Sequence, residues 1–142
     1  MKTRMITSLL MVSLLVAGSQ ALAGDRYEPD NSRSAAGNIA SGERQTHSID
    51  PAGDLDWVKF TPPSLGKYNV TFVSGSTRSW LKGEVWLKQG LLPEIKVATF
   101  TVPSGNSYIP LNFTTGAKYV KVGVWAQKTT TRGSYTIGVV KL

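Results

Sequence analysis

Lys118-Tyr119-Val120-Lys121-Val122-Gly123-Val124-Trp125-Ala126 places valine at every second position from 120 to 124, with lysine and glycine between. A period of two marks a strand with one buried and one wetted face. Outward from this stretch the pattern repeats. Tyr135, Ile137 and Val139 alternate with Thr136 and Gly138, and Tyr68, Val70 and Phe72 alternate with Asn69 and Thr71. Gly, Pro, Ser and Asn separate further β-branched and aromatic runs. The candidate strands are Gln45–Ile49, Asp56–Thr61, Lys67–Val73, Trp80–Lys88, Ile95–Val102, Ser107–Phe113, Lys118–Ala126 and Ser134–Lys141. Short strands spaced by about 8–12 residues with turn signals between them indicate an all-β sandwich or barrel. No stretch after residue 23 carries a helical stripe. The expected fold is all-β, a single antiparallel β-sandwich of about eight strands.

The chain has 142 residues. Met1-Lys2-Thr3-Arg4, the apolar run Ile6 to Ala17, and Ala21-Leu22-Ala23 form the charged start, core and small-residue cleavage site of a signal peptide. The run is too short to span a membrane, which takes about 20 apolar residues, and no cysteine follows it for lipid attachment. Residues 1–23 are therefore expected to direct export, to the periplasm or beyond. From Gly24 to Gly42 the chain is rich in Asp, Asn, Ser, Ala and Gly, and reads as an extended lead-in with a short helical turn near Ser34–Ile39. The sandwich follows over 43–142, with 24–142 as one folding unit. With no cysteine and one histidine, disulfides, thiol catalysis and zinc–thiolate sites are excluded. Any staple for the domain would have to be a metal.

Charge is unevenly spread. Without Lys2 and Arg4 the chain has 14 basic and 9 acidic residues, a net +5. Asp25 to Asp56 holds seven acids and three bases, a net −4, whereas Trp57 to Leu142 sets eleven bases against Glu84 and Glu94, a net +9. An acidic front on a basic body needs a physical reason. Tyr27-Glu28-Pro29-Asp30-Asn31-Ser32 and Gly53-Asp54-Leu55-Asp56-Trp57 concentrate hard oxygen donors in two short segments about 25 residues apart. Ca²⁺ takes six to eight oxygen ligands, so these segments could meet its demand if they are neighbours. Asx-rich turns arise equally from local side-chain bonding to the backbone, and both readings stand at this point.

Tyr27-Glu28-Pro29-Asp30-Asn31-Ser32, Ile39, Gly42, His47-Ser48-Ile49 and Gly53-Asp54-Leu55-Asp56-Trp57-Val58-Lys59-Phe60-Thr61 resemble the bacterial pre-peptidase C-terminal domain family. Gly116-Ala117-Lys118-Tyr119-Val120-Lys121-Val122 and Gly133-Ser134-Tyr135-Thr136-Ile137 resemble its last two strands. The resemblance implies a jelly-roll-like β-sandwich of the kind usually appended to secreted proteases. Its relatives include the collagen-binding domains of clostridial collagenases, where calcium joins the lead-in to the sandwich. Carried over by position, it implies Glu28, Asp30, Asn31, Asp54 and Asp56 as calcium ligands. The family's usual Asn-Asp order after the proline is Asp30-Asn31 here, and this sequence includes no protease.

Trp80, Trp86 and Trp125 lie in candidate strands beside Lys82, Lys88, Lys121 and Lys128. Exposed aromatics flanked by lysine can stack on sugars or meet an extracellular protein, although tryptophan also fills sandwich cores. Trp80, Trp86, Trp125, Lys88 and Lys121 are the candidate ligand-binding residues, with at most one or two of these tryptophans exposed. The lysines are scattered singly, with no nucleic-acid motif, so sequence-specific nucleic-acid binding is not expected. His47 with Asp50 lacks the Gly-x-Ser-x-Gly elbow and a second histidine, so it reads as a structural or surface histidine and the protein as no enzyme. The leading expectation is a calcium-stabilised binding module for an extracellular polysaccharide or protein. An exported inhibitor, chaperone or assembly factor for a separate protease comes second, and a polyanion binder third.

Overall fold

The computed structural model describes residues 25–74, 81–102, 106–113 and 117–142. The expected signal peptide and Trp80 lie outside these residues. Among the described residues, nine strands form two sheets. They are β1 (Gly37–Ile39), β2 (Arg44–Ile49), β3 (Leu55–Phe60), β4 (Gly66–Ser74), β5 (Leu81–Gln89), β6 (Ile95–Val102), β7 (Asn106–Phe113), β8 (Ala117–Ala126) and β9 (Gly133–Lys141). One sheet has the order β1-β3-β8-β5-β6 and the other β2-β9-β4-β7. Among the described residues, no helix is long and apolar enough to cross a membrane.

Alternating side chains create the core between the sheets. Val58 and Phe60 of β3, Leu81 and Val85 of β5, and Val120, Val122 and Val124 of β8 meet Tyr68, Val70 and Phe72 of β4 and Tyr135, Ile137 and Val139 of β9. Two glycines allow the closest approaches. A Cβ on Gly83 would lie 2.1 Å from Cζ of Phe100 and 2.4 Å from the Gly123 carbonyl, and one on Gly123 would lie 2.8 Å from the Trp57 ring. On the open side of the sandwich, the edge strands β6 and β7 flank an apolar cleft of about 280 Å³ that includes Val97, Ala98, Ile109 and Leu111.

The eight expected strands all form, each within one residue of its expected ends. The ninth comes from the lead-in and corrects the purely antiparallel expectation. The helical turn is a single 3₁₀ turn at Arg33–Ala35, capped by the Ser32 hydroxyl, which accepts from the Ala35 amide at 3.3 Å. The chain then extends, and Gly37–Ile39 pairs parallel to β3, with Gly37 opposite Val58 and Ile39 opposite Phe60. Ile39 is buried in the core. The physical reason is edge pairing: β3 has a free side, and the Trp57 amide donates to the Asp30 carbonyl at 3.0 Å just ahead of that ladder.

Replacing Gly83 by alanine sets a methyl against backbone as well as a ring. Gly83→Ala should lower unfolding free energy by about 1–3 kcal/mol, measured by urea denaturation.

Candidate metal centre

Three segments converge at one end of the sandwich: the lead-in from Asp25 to Asp30, the inward face of β2, and the turn entering β3. In β2, Gln45, His47 and Ile49 are buried while Arg44 and Thr46 are exposed, so two of three inward positions are polar. In β3, Asp56 shares the inward face with Val58 and Phe60, and Tyr135 on β9 donates to its Oδ2 at 2.7 Å. Asp54 sits in the preceding turn, where its Oδ1 accepts from the Leu55 amide at 2.9 Å. Glu28 Oε2 accepts from the Asp30 amide at 3.1 Å. Asp25 reaches across to β2, with its Oδ1 accepting from the Tyr27 amide at 2.8 Å and its Oδ2 from the Ser48 amide at 2.6 Å.

Of the five residues implied as ligands, four carry acids that this convergence brings together. Glu28, Asp54 and Asp56 each offer an oxygen within 4.8 Å of the others, and two carboxylate oxygens of Asp30 and Asp56 and a ring nitrogen of His47 lie equally close together. Asp30 and Asp56 are each 1% exposed. Asn31 is exposed, so Asp30 is the residue of that pair whose side chain turns inward.

The electrostatics are severe. Both carboxylate oxygens of Asp30, Oδ1 of Asp56 and Nδ1 of His47 are shut off from solvent without a hydrogen-bond partner in the protein. Burying unpaired charge is costly. Burial pushes the Asp56 carboxyl up to about 8, opposed by the Tyr135 hydrogen bond and reinforced by Asp30, Asp54 and Asp25. Burial raises Glu28 and Asp54 as well. The Tyr135 hydroxyl is raised well above its ordinary value by burial and by the Asp56 charge. This donor set fits a hard cation: several carboxylates converge, and buried oxygens of Asp30 and Asp56 lack other partners.

His47 is fully buried, which corrects a surface placement and agrees with a structural one. Its ring stacks against Tyr27 and Tyr135 at centroid distances of 4.7 and 5.6 Å. The alternation of Gln45, His47 and Ile49 was the available signal, since Ile49 marks the inward face.

Of the candidate ligand-binding residues, Trp86, Trp125, Lys88 and Lys121 occupy the outer face of the five-stranded sheet, and Trp80 lies outside the described residues. Trp86 is half-buried beneath the Arg33 guanidinium, 3.6 Å from the ring centre. Arg33 and Lys121 both pair with Glu94, at 2.9 and 2.7 Å. Lys88 donates to the Leu92 carbonyl. Trp125 is half-buried and borders a shallow depression of about 390 Å³ with Lys82, Thr99 and Thr101.

No family model matches the sequence, and no curated protein matches it. Solved structures do match. The chain is similar to the pre-peptidase C-terminal domain of a collagenase from Bacillus anthracis, with 13% identity and a TM-score of 0.53, over 73% of this chain and 93% of that one. It is also similar to the Yersinia pseudotuberculosis-derived mitogen, with 9% identity and a TM-score of 0.53, over 70% of this chain and 85% of that one. At these identities the likeness is one of fold. The resemblance read from the Glu28–Ser32 and Gly53–Thr61 motifs is met at that level.

The raised Asp56 carboxyl sets a pH dependence. Between about 4 and 8 the folded metal-free protein holds a proton that the unfolded chain has lost, so stability falls as pH rises through that window. Thermal midpoints in chelator should decline from pH 4 to pH 8, and Asp56→Asn should flatten that decline.

Proposed function

We propose that the protein is a calcium-stabilised, non-catalytic binding module that acts outside the cytoplasm. The observation carrying this reading is the group of buried acidic oxygens, contributed by the lead-in and by β3, that lack partners within the protein. In this reading Glu28, Asp54 and Asp56 hold Ca²⁺, with Asp30 beside them. The ion supplies charge neutralisation and ties the lead-in to the sandwich. That gives the small cysteine-free domain the staple that disulfides provide elsewhere. The fold likeness to the pre-peptidase C-terminal domain of a collagenase supports the binding-module class.

The ligand surface is the outer face of the five-stranded sheet, centred on Trp125. Its depression combines an aromatic ring with the Lys82 ammonium and the hydroxyls of Thr99 and Thr101, a chemistry suited to a polysaccharide or an extracellular protein. Trp86 and Lys121 serve the same face indirectly, because Arg33 and Glu94 engage them. Pairing of Lys96 with Glu84 and of Lys121 with Glu94 leaves less free cationic charge for a polyanion.

The test is the thermal midpoint of the purified protein in millimolar calcium and in chelator. Saturation well above Kd should add on the order of 2–3 kcal/mol, seen as a rise of roughly 5 °C or more, with a smaller response to equal magnesium. Asp54→Asn should abolish most of the rise. An equal midpoint with and without calcium contradicts the ion reading. For the ligand surface, retention on insoluble polysaccharide or collagen should survive high salt and fall roughly 2- to 10-fold in Trp125→Ala. Unchanged retention in that variant places the surface elsewhere.

A further inference from the structure

We propose that His47, Asp30 and Asp56 form a second cation site, adjoining the calcium group, that takes a zinc-like divalent ion through the Nδ1 atom of His47. This rests on the reading that the pocket holds cations, and it centres on His47, which the oxygen-ligand reading leaves unused. Within the stack of Tyr27 and Tyr135, the imidazole has one orientation with two differently committed nitrogens. Nε2 lies 3.3 Å from Gln45 Oε1. The Gln45 amide nitrogen is itself fixed, donating to the Asn38 carbonyl at 2.8 Å and to Glu43 Oε1 at 2.9 Å. Its oxygen therefore faces the histidine, and Nε2 must be the donor. In the neutral ring Nδ1 is left with a lone pair.

That lone pair points at negative charge. Nδ1 is 3.4 Å from Asp30 Oδ2 and 3.6 Å from Asp25 Oδ2, and it hydrogen-bonds to neither. An imidazole lone pair facing two carboxylates is repulsive until a proton or a metal cation lies between them. Calcium selects oxygen donors, whereas an imidazole nitrogen combined with carboxylates suits zinc and its transition-metal neighbours. Gln45 plays the outer partner that fixes ring orientation and tautomer in such sites. His47, Asp30 and Asp56 offer donor atoms all within 4.8 Å of one another, and all three residues are buried. Asp56 belongs to both groups and bridges the two ions.

His47 is the only histidine and there is no cysteine, so in untagged protein any imidazole signal belongs to this site. The experiment follows the ¹⁵N resonances of labelled histidine during titration with Zn²⁺ in saturating calcium. The expected result is a shift of Nδ1 from the position of an unprotonated ring nitrogen, complete at one equivalent of Zn²⁺. Calcium alone should not produce it, and Asp54→Asn should retain it. His47→Gln should lose a zinc-dependent rise in thermal midpoint while keeping its calcium response, which also shows that the variant is folded. An Nδ1 unmoved by zinc, already protonated before zinc and unchanged by it, or shifted equally by calcium overturns the second site. A zinc response without any calcium response overturns the calcium reading and leaves this one standing.

Discussion

Burying a cluster of acids around a single imidazole is the constraint on which the rest of this molecule turns. Asp30, Asp54 and Asp56 are buried at one end of the sandwich, Asp25 and Glu28 are half-buried beside them, and among the described residues no lysine or arginine is paired with any of the five. Such a group is tolerable only if protons or cations neutralise it. The lead-in reaches this position because the Trp57 amide binds the Asp30 carbonyl and β1 joins the free side of β3. Charge neutralisation and lead-in docking are thus coupled: whatever neutralises the acids also favours the docked segment.

The frame around the pocket is rigid for ordinary sandwich reasons. Tyr135 is an inward residue of β9, and its hydroxyl fixes one oxygen of Asp56 while its ring backs His47. Trp57 on the opposite face of β3 lies over Gly123, which has no side chain to displace it. The charge asymmetry acquires a place as well. Much of the acidic front gathers in the pocket, while Arg33 bridges from the lead-in to Glu94 and covers Trp86. One segment therefore completes the pocket and also shapes the outer sheet face.

Strand content was legible because Val120, Val122 and Val124, or Tyr135, Ile137 and Val139, declare their face by alternation alone. β1 was not, since Gly37-Asn38-Ile39 is too short to show a period and pairs with a strand about 20 residues away. The acids were legible as a composition anomaly, and Asp30, Asp54 and Asp56 are indeed turned inward. His47 was visible only as a lone residue. Its importance comes from Asp25 and Asp30 folding back onto β2, a contact that no local pattern encodes. Trp86 shows the same limit: its strand position was readable, but the guanidinium stacked on it comes from a 3₁₀ turn more than 50 residues earlier.

The most direct measurement is a crystal structure of the protein grown with calcium, with anomalous data collected to locate the ion. Cation-tied docking of the lead-in requires an anomalous peak among the carboxylates of Glu28, Asp54 and Asp56, with the Trp57–Asp30 backbone bond intact. A structure without that peak, in which the same carboxylates turn out to solvent, would contradict it.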